Sequence, residues 1–209
     1  MLYVTYDMKL NAKELRDLEE KRAMGEMKNI KRRPIYFILE NIYDTYNIGG
    51  IFRLADALAV SKIYLCGEIE IPPNNRIKKA SIGTYKIVPW TYKKTAADAI
   101  KELKFKCQSS NVKSNPKSKI QNNNLTIKQY NNRPIRIIAV EQHKNSVAYN
   151  QVDYQLPLAL IFGNESFGIT PETLKLVDQI VEIPMWGINK SLNVIVSAAI
   201  VSYWIVAKL

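Results

Sequence analysis

Leu158-Ala-Leu-Ile-Phe-Gly163-Asn-Glu165-Ser-Phe-Gly168 is the stretch of sequence that decides the fold class. Its first five residues are apolar without interruption, which is typical of a parallel strand that is covered on both faces. A polar loop bracketed by glycines follows directly. Ligands of open α/β sheets bind beyond the carboxyl ends of the strands, so this stretch predicts a buried strand that ends in a functional loop.

Two other stretches show the same arrangement. Residues 34–40 are an apolar run, and the loop after them leads to Asn47-Ile-Gly-Gly-Ile-Phe-Arg53. Residues 179–183 form a third short run, followed by Pro184-Met185 and then Ser191-Leu192-Asn193. Because parallel strands end at one edge of a sheet, we expect the three loops to meet there.

The rest of the chain alternates between strand-like and helix-like segments. This alternation predicts an α/β fold with a mostly parallel sheet and flanking helices. The other predicted strands are residues 62–66, 84–90 and 135–141, and a turn is predicted at 72–75. The predicted helices are residues 11–29, 47–59, 95–105 and 191–208, with one more starting at Thr170-Pro171.

Composition divides the chain into two parts and an insert. We interpret residues 1–33 as a helical, basic N-terminal extension and residues 34–209 as the main domain. Residues 108–132 contain seven Asn, four Lys and no acidic residue, which predicts a flexible surface insert. The insert is either a segment that contacts RNA or a surface loop without a function. The second interpretation is favoured because long surface loops cost little stability.

Charge and composition limit the function classes. The 209 residues carry a net charge of +11, which suits either a polyanionic partner or a protein from a lysine-rich proteome. Two cysteines and a single histidine leave no zinc-site spacing, and no metal is expected. The most apolar run, residues 194–207, is too short to span a bilayer and predicts a buried helix. The expectation is a soluble, cytoplasmic protein without a membrane partner.

Several common catalytic motifs are missing from the sequence. Gly49-Gly50 lacks the other glycines of a dinucleotide fingerprint or a phosphate loop. A hydrolytic triad would need His143, and no matching nucleophile elbow exists. A reaction that depends on positioning and one cation fits this residue set better than His, Cys or metal chemistry.

At the three loops the sequence resembles the SpoU/TrmH branch of the SPOUT RNA methyltransferases. The family's motifs correspond, in order and spacing, to Asn47–Arg53, to residues 158–168 and to Ile183–Asn193. The resemblance runs from about residue 34 to the C-terminus. Departures are the insert at 108–132 and Ala59, where the family commonly has glycine.

The resemblance implies an RNA 2′-O-ribose methyltransferase that uses S-adenosylmethionine on tRNA or rRNA. It also implies a deep C-terminal trefoil knot. The cofactor-binding residues would be Gly163, Ile183, Met185 and Leu192, since glycine allows close backbone approach and apolar side chains flank an adenine.

The resemblance also implies a catalytic set, which is Asn47, Arg53, Glu165, Ser191 and Asn193. A guanidinium stays charged in proteins, so Arg53 is expected to bind a phosphate and stabilise alkoxide charge rather than act as a base. Glu165 would orient Arg53 or its own loop, and Ser191 and Asn193 would contact the ribose or fix the knot. Taken singly, Asn47 and Ser191 could be simple helix caps.

A homodimer is the expected assembly. The C-terminal helix is apolar around most of its circumference, and one sheet face covers only one stripe of a helix. A two-fold partner would bury the remainder, including Tyr203 or Trp204. Two other functions stay open, namely a non-catalytic RNA-binding protein on the same fold and an ordinary nucleotide-utilising enzyme.

Overall fold

A computed structural model describes residues 30–109 and 133–209, together with Asn11. The predicted helix at 11–29 and most of the extension and the insert lie outside these residues. The strands are β1 (Arg33–Glu40), β2 (Val60–Cys66), β3 (Trp90–Lys93), β4 (Arg136–Val140), β5 (Val147–Ala148), β6 (Leu158–Phe162) and β7 (Gln179–Glu182). The helices are α1 (Thr45–Ala57), α2 (Asn75–Ser81), α3 (Ala96–Ser109), α4 (Pro171–Leu174) and α5 (Val194–Lys208).

Within the described ranges, seven strands form one sheet in the order β3-β2-β1-β6-β4-β7-β5, and every pairing is parallel. The predicted α/β class with a mostly parallel sheet is therefore confirmed. β1 lies beside β6, with Ile35 opposite Leu158. The carboxyl ends of β1, β6, β4 and β7 consequently line one edge of the sheet, where the three predicted loops emerge.

Both faces of the sheet are buried. Phe37 and Leu39 belong to the core that packs under α1 and α5, whereas Tyr36 and Ile38 belong to the core under α3. This alternation follows from the two-residue period of a strand, and it explains why β1 is apolar without interruption from Pro34 to Leu39. Phe37 meets Phe162 edge-to-face at 5.4 Å between ring centroids, and burying such a side chain contributes about 1.5–3 kcal/mol.

The prediction of a strand at 84–90 is wrong. Ile82 and Gly83 both have positive φ, which turns the chain, and Thr84–Lys86 then forms a short 3₁₀ helix. Strand β3 starts only at Trp90, directly after Pro89, whose carbonyl accepts a hydrogen bond from the Ile63 N–H. The apolar residues in 84–88 pack into the core from a turn instead of a strand.

Two predicted helix starts also move. Asp44 caps α1 by accepting from the Tyr46 N–H at 2.8 Å, so Asn47 lies inside the first turn and is not a cap. Asn193 caps α5 by accepting from the Ile195 N–H at 2.9 Å, so Ser191 lies before the helix. The predicted cap at Thr170 before Pro171 is confirmed.

The insert boundary is corrected at one end. The helix predicted at 95–105 continues as α3 to Ser109, so residues 108 and 109 are helical and do not start the insert.

No helix in the described part of the chain is long and apolar enough to cross a membrane. In the same residues, no group of three or more His, Cys, Asp or Glu side chains is placed to hold a metal ion.

Candidate active site

Three side chains from three different loops form a continuous hydrogen-bonded chain. Asn47 in the first turn of α1 donates from Nδ2 to Oε1 of Glu165 at 2.9 Å. Asn193, the cap of α5, donates from Nδ2 to Oδ1 of Asn47 at 3.0 Å. Asn47 is only 4% exposed, so both halves of its amide are used where water cannot replace a lost partner.

Glu165 also binds the backbone of the first loop. Its Oε2 accepts from the Tyr43 N–H at 3.3 Å and its Oε1 from the Asp44 N–H at 3.3 Å. The phenol of Tyr43 donates to Glu68 at 3.2 Å, and this hydrogen bond raises the pKa of Tyr43. Glu165 therefore orders the entry to α1 and orients Asn47.

Arg53 stands apart from this chain. It is exposed on α1, and among the described residues it forms no hydrogen bond or ion pair. Of the two roles predicted for Glu165, orienting Arg53 or ordering a loop, the contacts favour the second, because the carboxylate accepts from Asn47 and two backbone N–H groups. The guanidinium remains available to an anionic ligand.

The loop after β6 is closed by its own backbone. Asn164 and Gly168 exchange two hydrogen bonds of 3.1 and 2.9 Å, and Gly168 has φ of +68°. A Cβ on Gly163 would overlap the main chain of Gly168 and Ile169, so only glycine fits there. Asn164 also donates to the Asn41 carbonyl at 2.6 Å, which joins this loop to the first one.

Two carboxylates that were not predicted as site residues bind the segment that leads from the loop after β6 into α4. Glu40, 4% exposed, accepts from the N–H and hydroxyl of Thr170 at 2.9 and 3.0 Å and from the Thr173 hydroxyl at 2.6 Å. Glu141 accepts from the Ile169 N–H at 2.9 Å. The available signal was an acidic residue at the end of each apolar run, where burial requires a partner.

A cavity of about 690 Å³ opens beside the hydrogen-bonded chain. All four predicted cofactor-binding residues line it, together with three of the predicted catalytic residues: Gly163, Ile183, Met185 and Leu192, with Glu165, Ser191 and Asn193. Ser191 is exposed, and its N–H donates to Asn189 at 3.3 Å. The volume falls within the usual range for small-molecule sites.

The chain belongs to the SpoU rRNA methylase family, whose model matches residues 34–120 and 107–203. The predicted family is confirmed, and with it the prediction of an RNA methyltransferase. The two matched segments overlap at residues 107–120, and this overlap includes the start of the predicted insert.

Curated relatives carry similar sequences along most of the chain. A tRNA (guanosine(18)-2′-O)-methyltransferase of Aquifex aeolicus is 28% identical over 97% of this chain and 78% of the relative. The Escherichia coli enzyme of the same name is 27% identical over 83% of this chain. The match spans only 63% of that relative, which is therefore substantially longer than the shared region.

Solved structures share the fold. The A. aeolicus TrmH/SpoU tRNA modifying enzyme has a TM-score of 0.63 and 24% identity, covering 93% of this chain and 80% of that one. The SpoU methyltransferase AviRb from Streptomyces viridochromogenes, in complex with AdoMet, has a TM-score of 0.68 and 20% identity. The latter match covers 86% of this chain and 59% of AviRb.

Proposed function

We propose that this protein transfers a methyl group from S-adenosylmethionine to a ribose 2′-hydroxyl of RNA. The observation that carries the proposal is the hydrogen-bonded chain Glu165–Asn47–Asn193 at the edge of a small-molecule cavity. These three residues occupy the family's motif positions on three separate loops.

The residues around the cavity suit the cofactor. When bound, S-adenosylmethionine supplies an electrophilic methyl group on a positively charged sulphur. Gly163 allows the loop after β6 to close on itself, because a Cβ there would overlap the main chain of Gly168 and Ile169, and this closed loop lines the cavity. Ile183, Met185 and Leu192 provide apolar walls for the adenine ring.

The proposed roles of the catalytic set follow from charge and position. Arg53 binds the phosphate next to the target nucleotide and stabilises negative charge on the attacking 2′-oxygen. Asn47 and Glu165 hold the loops after β1 and β6 in a fixed position relative to each other. Ser191 and Asn193 contact the ribose from the third loop, and Asn193 is tied to Asn47 while it does so.

RNA is the proposed substrate, and tRNA is its first candidate. The net charge of +11 favours a polyanion, and the two relatives described above are named for methylation of guanosine 18 of tRNA. Such a substrate supports the cytoplasmic location that we propose for the protein. Threading of the C-terminal segment into a deep trefoil knot belongs to the same proposal and is supported by family membership.

A homodimer completes the proposed assembly. Val196, Tyr203 and Ala207 are exposed on one side of α5, and Val196 and Tyr203 are 45% and 53% exposed. Their spacing places them on one stripe of the helix, as a two-fold interface requires. Trp204 is partly buried and meets Tyr149 edge-to-face at 5.8 Å, so Tyr203 is the aromatic residue left for a partner.

Calorimetric titration with S-adenosylmethionine separates this function from the alternative, a non-catalytic RNA-binding protein on the same fold. Binding to the wild type, weakened in Leu192→Ala, supports the methyltransferase. Leu176→Ala is the matched control, since both leucines are 38% exposed and Leu176 lies outside the cavity. A protein that binds RNA but not the cofactor would establish the alternative.

The RNA itself is identified by mapping ribose methylation in total tRNA and rRNA with and without the gene. Loss of methylation at a single tRNA or rRNA position is the expected result. Guanosine 18 of tRNA is the first position to inspect, because the named relatives act there. An unchanged methylation map would contradict the proposal.

A further inference from the structure

The cavity is acidic although the protein is basic. Three glutamates and a single lysine line it among the described residues: Glu141, Glu165, Glu182 and Lys190. The whole sequence carries a net charge of +11. The field of the protein at large would repel a cation, so any attraction for a cation inside this cavity must come from these carboxylates.

Glu165 accepts from Asn47 and from two backbone N–H groups at the entry to α1, whereas Glu141 and Glu182 form no hydrogen bond to that segment. Glu141 accepts from two neutral backbone donors, the N–H groups of Gln142 and Ile169, both at 2.9 Å. Glu182 accepts at Oε2 from the hydroxyl of Ser146 at 2.7 Å. Within the described ranges Oε1 of Glu182 has no hydrogen-bond partner, and neither carboxylate forms a salt bridge.

These neutral donors fix the two side chains without neutralising them. A hydroxyl or amide donor orients a carboxylate and stabilises its ionised form, but it brings no opposite formal charge. Glu141 at the end of β4 and Glu182 at the end of β7 therefore present two negative charges to one cavity. A cationic group of the occupant is the ligand chemistry that gains from this arrangement.

The methyl donor and its product differ in charge at one atom. S-adenosylmethionine carries a positive sulphonium, and S-adenosylhomocysteine carries a neutral thioether in its place, while the rest of the two molecules is the same. We propose that Glu141 and Glu182 set the cofactor preference of the cavity, by favouring the methyl donor over the product that lacks its sulphonium charge. This inference rests on the function proposed above.

The two glutamates act as specificity-determining residues through the field in the cavity. Methyl transfer removes the sulphonium charge from the ligand, and the attraction between that charge and the carboxylates is lost at the same moment. S-adenosylhomocysteine is then bound less tightly than the next molecule of S-adenosylmethionine. Because charge–charge attraction acts over several ångströms in a partly enclosed site, contact with the sulphur is not required.

The test is the ratio of the two dissociation constants, measured by calorimetry at low salt. Glu182→Gln and Glu141→Gln keep the shape of the side chain and remove its charge. Each should weaken S-adenosylmethionine relative to S-adenosylhomocysteine by about three- to tenfold compared with the wild type. Glu172→Gln, an exposed glutamate on α4 outside the cavity, is the matched control and should leave the ratio unchanged.

Each other outcome has a defined meaning. Equal weakening of both ligands would show that the carboxylates bind the shared part of the molecule, and it would overturn the inference while the proposed function stands. No change for either ligand would overturn it as well. A wild type that binds neither ligand would refute the proposed function itself. If Glu141→Gln fails to fold, Glu182→Gln carries the test, because Glu182 accepts no backbone hydrogen bond.

Discussion

The amide of Asn193 donates to Oδ1 of Asn47 at 3.0 Å and so joins the cap of α5 to the first turn of α1 across 146 residues of sequence. The same Asn193 side chain accepts from the Ile195 N–H, so one residue both starts a helix and positions its neighbour. The two loops that it connects are held in a single arrangement by side chains rather than by the sheet.

A double-mutant cycle on this pair should reveal a coupling free energy. Asn47→Ala and Asn193→Ala are each expected to lower the free energy of unfolding by about 1–2 kcal/mol, since each leaves a polar partner unsatisfied. The double mutant should cost about 1 kcal/mol less than the sum, measured by urea denaturation. Asn150→Ala, at an exposed residue of the 3₁₀ turn after β5, is the control. Strict additivity would mean that the bond contributes nothing.

Arg53→Ala should reduce methyl transfer by about 10²–10³, because one oriented cation is lost where negative charge develops. Affinity for S-adenosylmethionine and the melting temperature should stay at wild-type values, since Arg53 is exposed. Single-turnover kinetics measure the first effect and calorimetry the second. Arg76→Ala, at an exposed arginine of α2, is the matched control. An Arg53 variant that transfers methyl groups at the wild-type rate would remove the residue from the catalytic set.

Glu102 should make stability depend on pH in the acid range. Partial burial alone would raise the pKa of Glu102, but hydrogen bonds from Lys106, Lys93 and Tyr64 outweigh burial and lower the pKa to about 2. The folded pKa lies below the ordinary value of 4.5, so the stabilisation is present above pH 4.5 and is lost as the pH falls toward 2.

The matching experiment compares wild type with Glu102→Gln by urea denaturation at several pH values. The variant should be less stable at pH 7, and the difference should shrink steadily below pH 4.5. Glu172→Gln, at an exposed residue without these lysine partners, should show no such trend. A difference that persists unchanged to pH 2 would exclude the charge of Glu102 as its source.

Ala59→Gly should stabilise the protein. Ala59 follows the end of α1 with φ of +52°, a conformation that costs a residue with a Cβ about 1–2 kcal/mol. After the greater chain entropy of glycine in the unfolded state is subtracted, a gain of about 0.5–1 kcal/mol is expected. Ala57→Gly in the last turn of the same helix should instead lose about 1 kcal/mol, and equal effects at both positions would contradict the argument.

Tyr203→Glu should convert a dimer into monomers, because it places a charge in an apolar interface. Light scattering at micromolar concentration should give twice the chain mass of 24.0 kDa for the wild type and the chain mass for the variant. Tyr92→Glu is the control, since Tyr92 is 46% exposed and lies on β3, the edge strand of the sheet, rather than on α5. A wild type of 24.0 kDa would refute the dimer.

The sequence predicts the central strands well because their signal is local. β6 occupies the predicted residues 158–162, and β1 starts one residue before the predicted run, since an uninterrupted apolar segment needs cover on both faces. Residues 84–90 also contain several apolar side chains, but the positive φ at Ile82 and Gly83 turns the chain there and no strand forms before Trp90. Composition carries no information about that backbone conformation at a non-glycine residue.

The site is predictable as a set of residues but not as a set of contacts. Resemblance to the family selects Asn47, Glu165 and Asn193, and the structure brings these three together. The partner of Glu165 could not be foreseen, because Asn47 and Arg53 lie on the same helix and only the orientation of α1 decides which one meets the carboxylate. Glu40 and Glu141 were not predicted, since Glu40 binds Thr170 and Thr173 and Glu141 binds Ile169 only after distant segments have packed together.

The sheet order has a consequence for the order of events during synthesis. Strand β6 pairs with β1 although more than half of the chain separates them, and Asn193 completes the site only from the start of the last helix. Contacts between such distant segments form slowly and late in folding. A nascent chain that lacks α5 also lacks the Asn193–Asn47 hydrogen bond, so the chain of contacts at the site is complete only after the last helix has been synthesised.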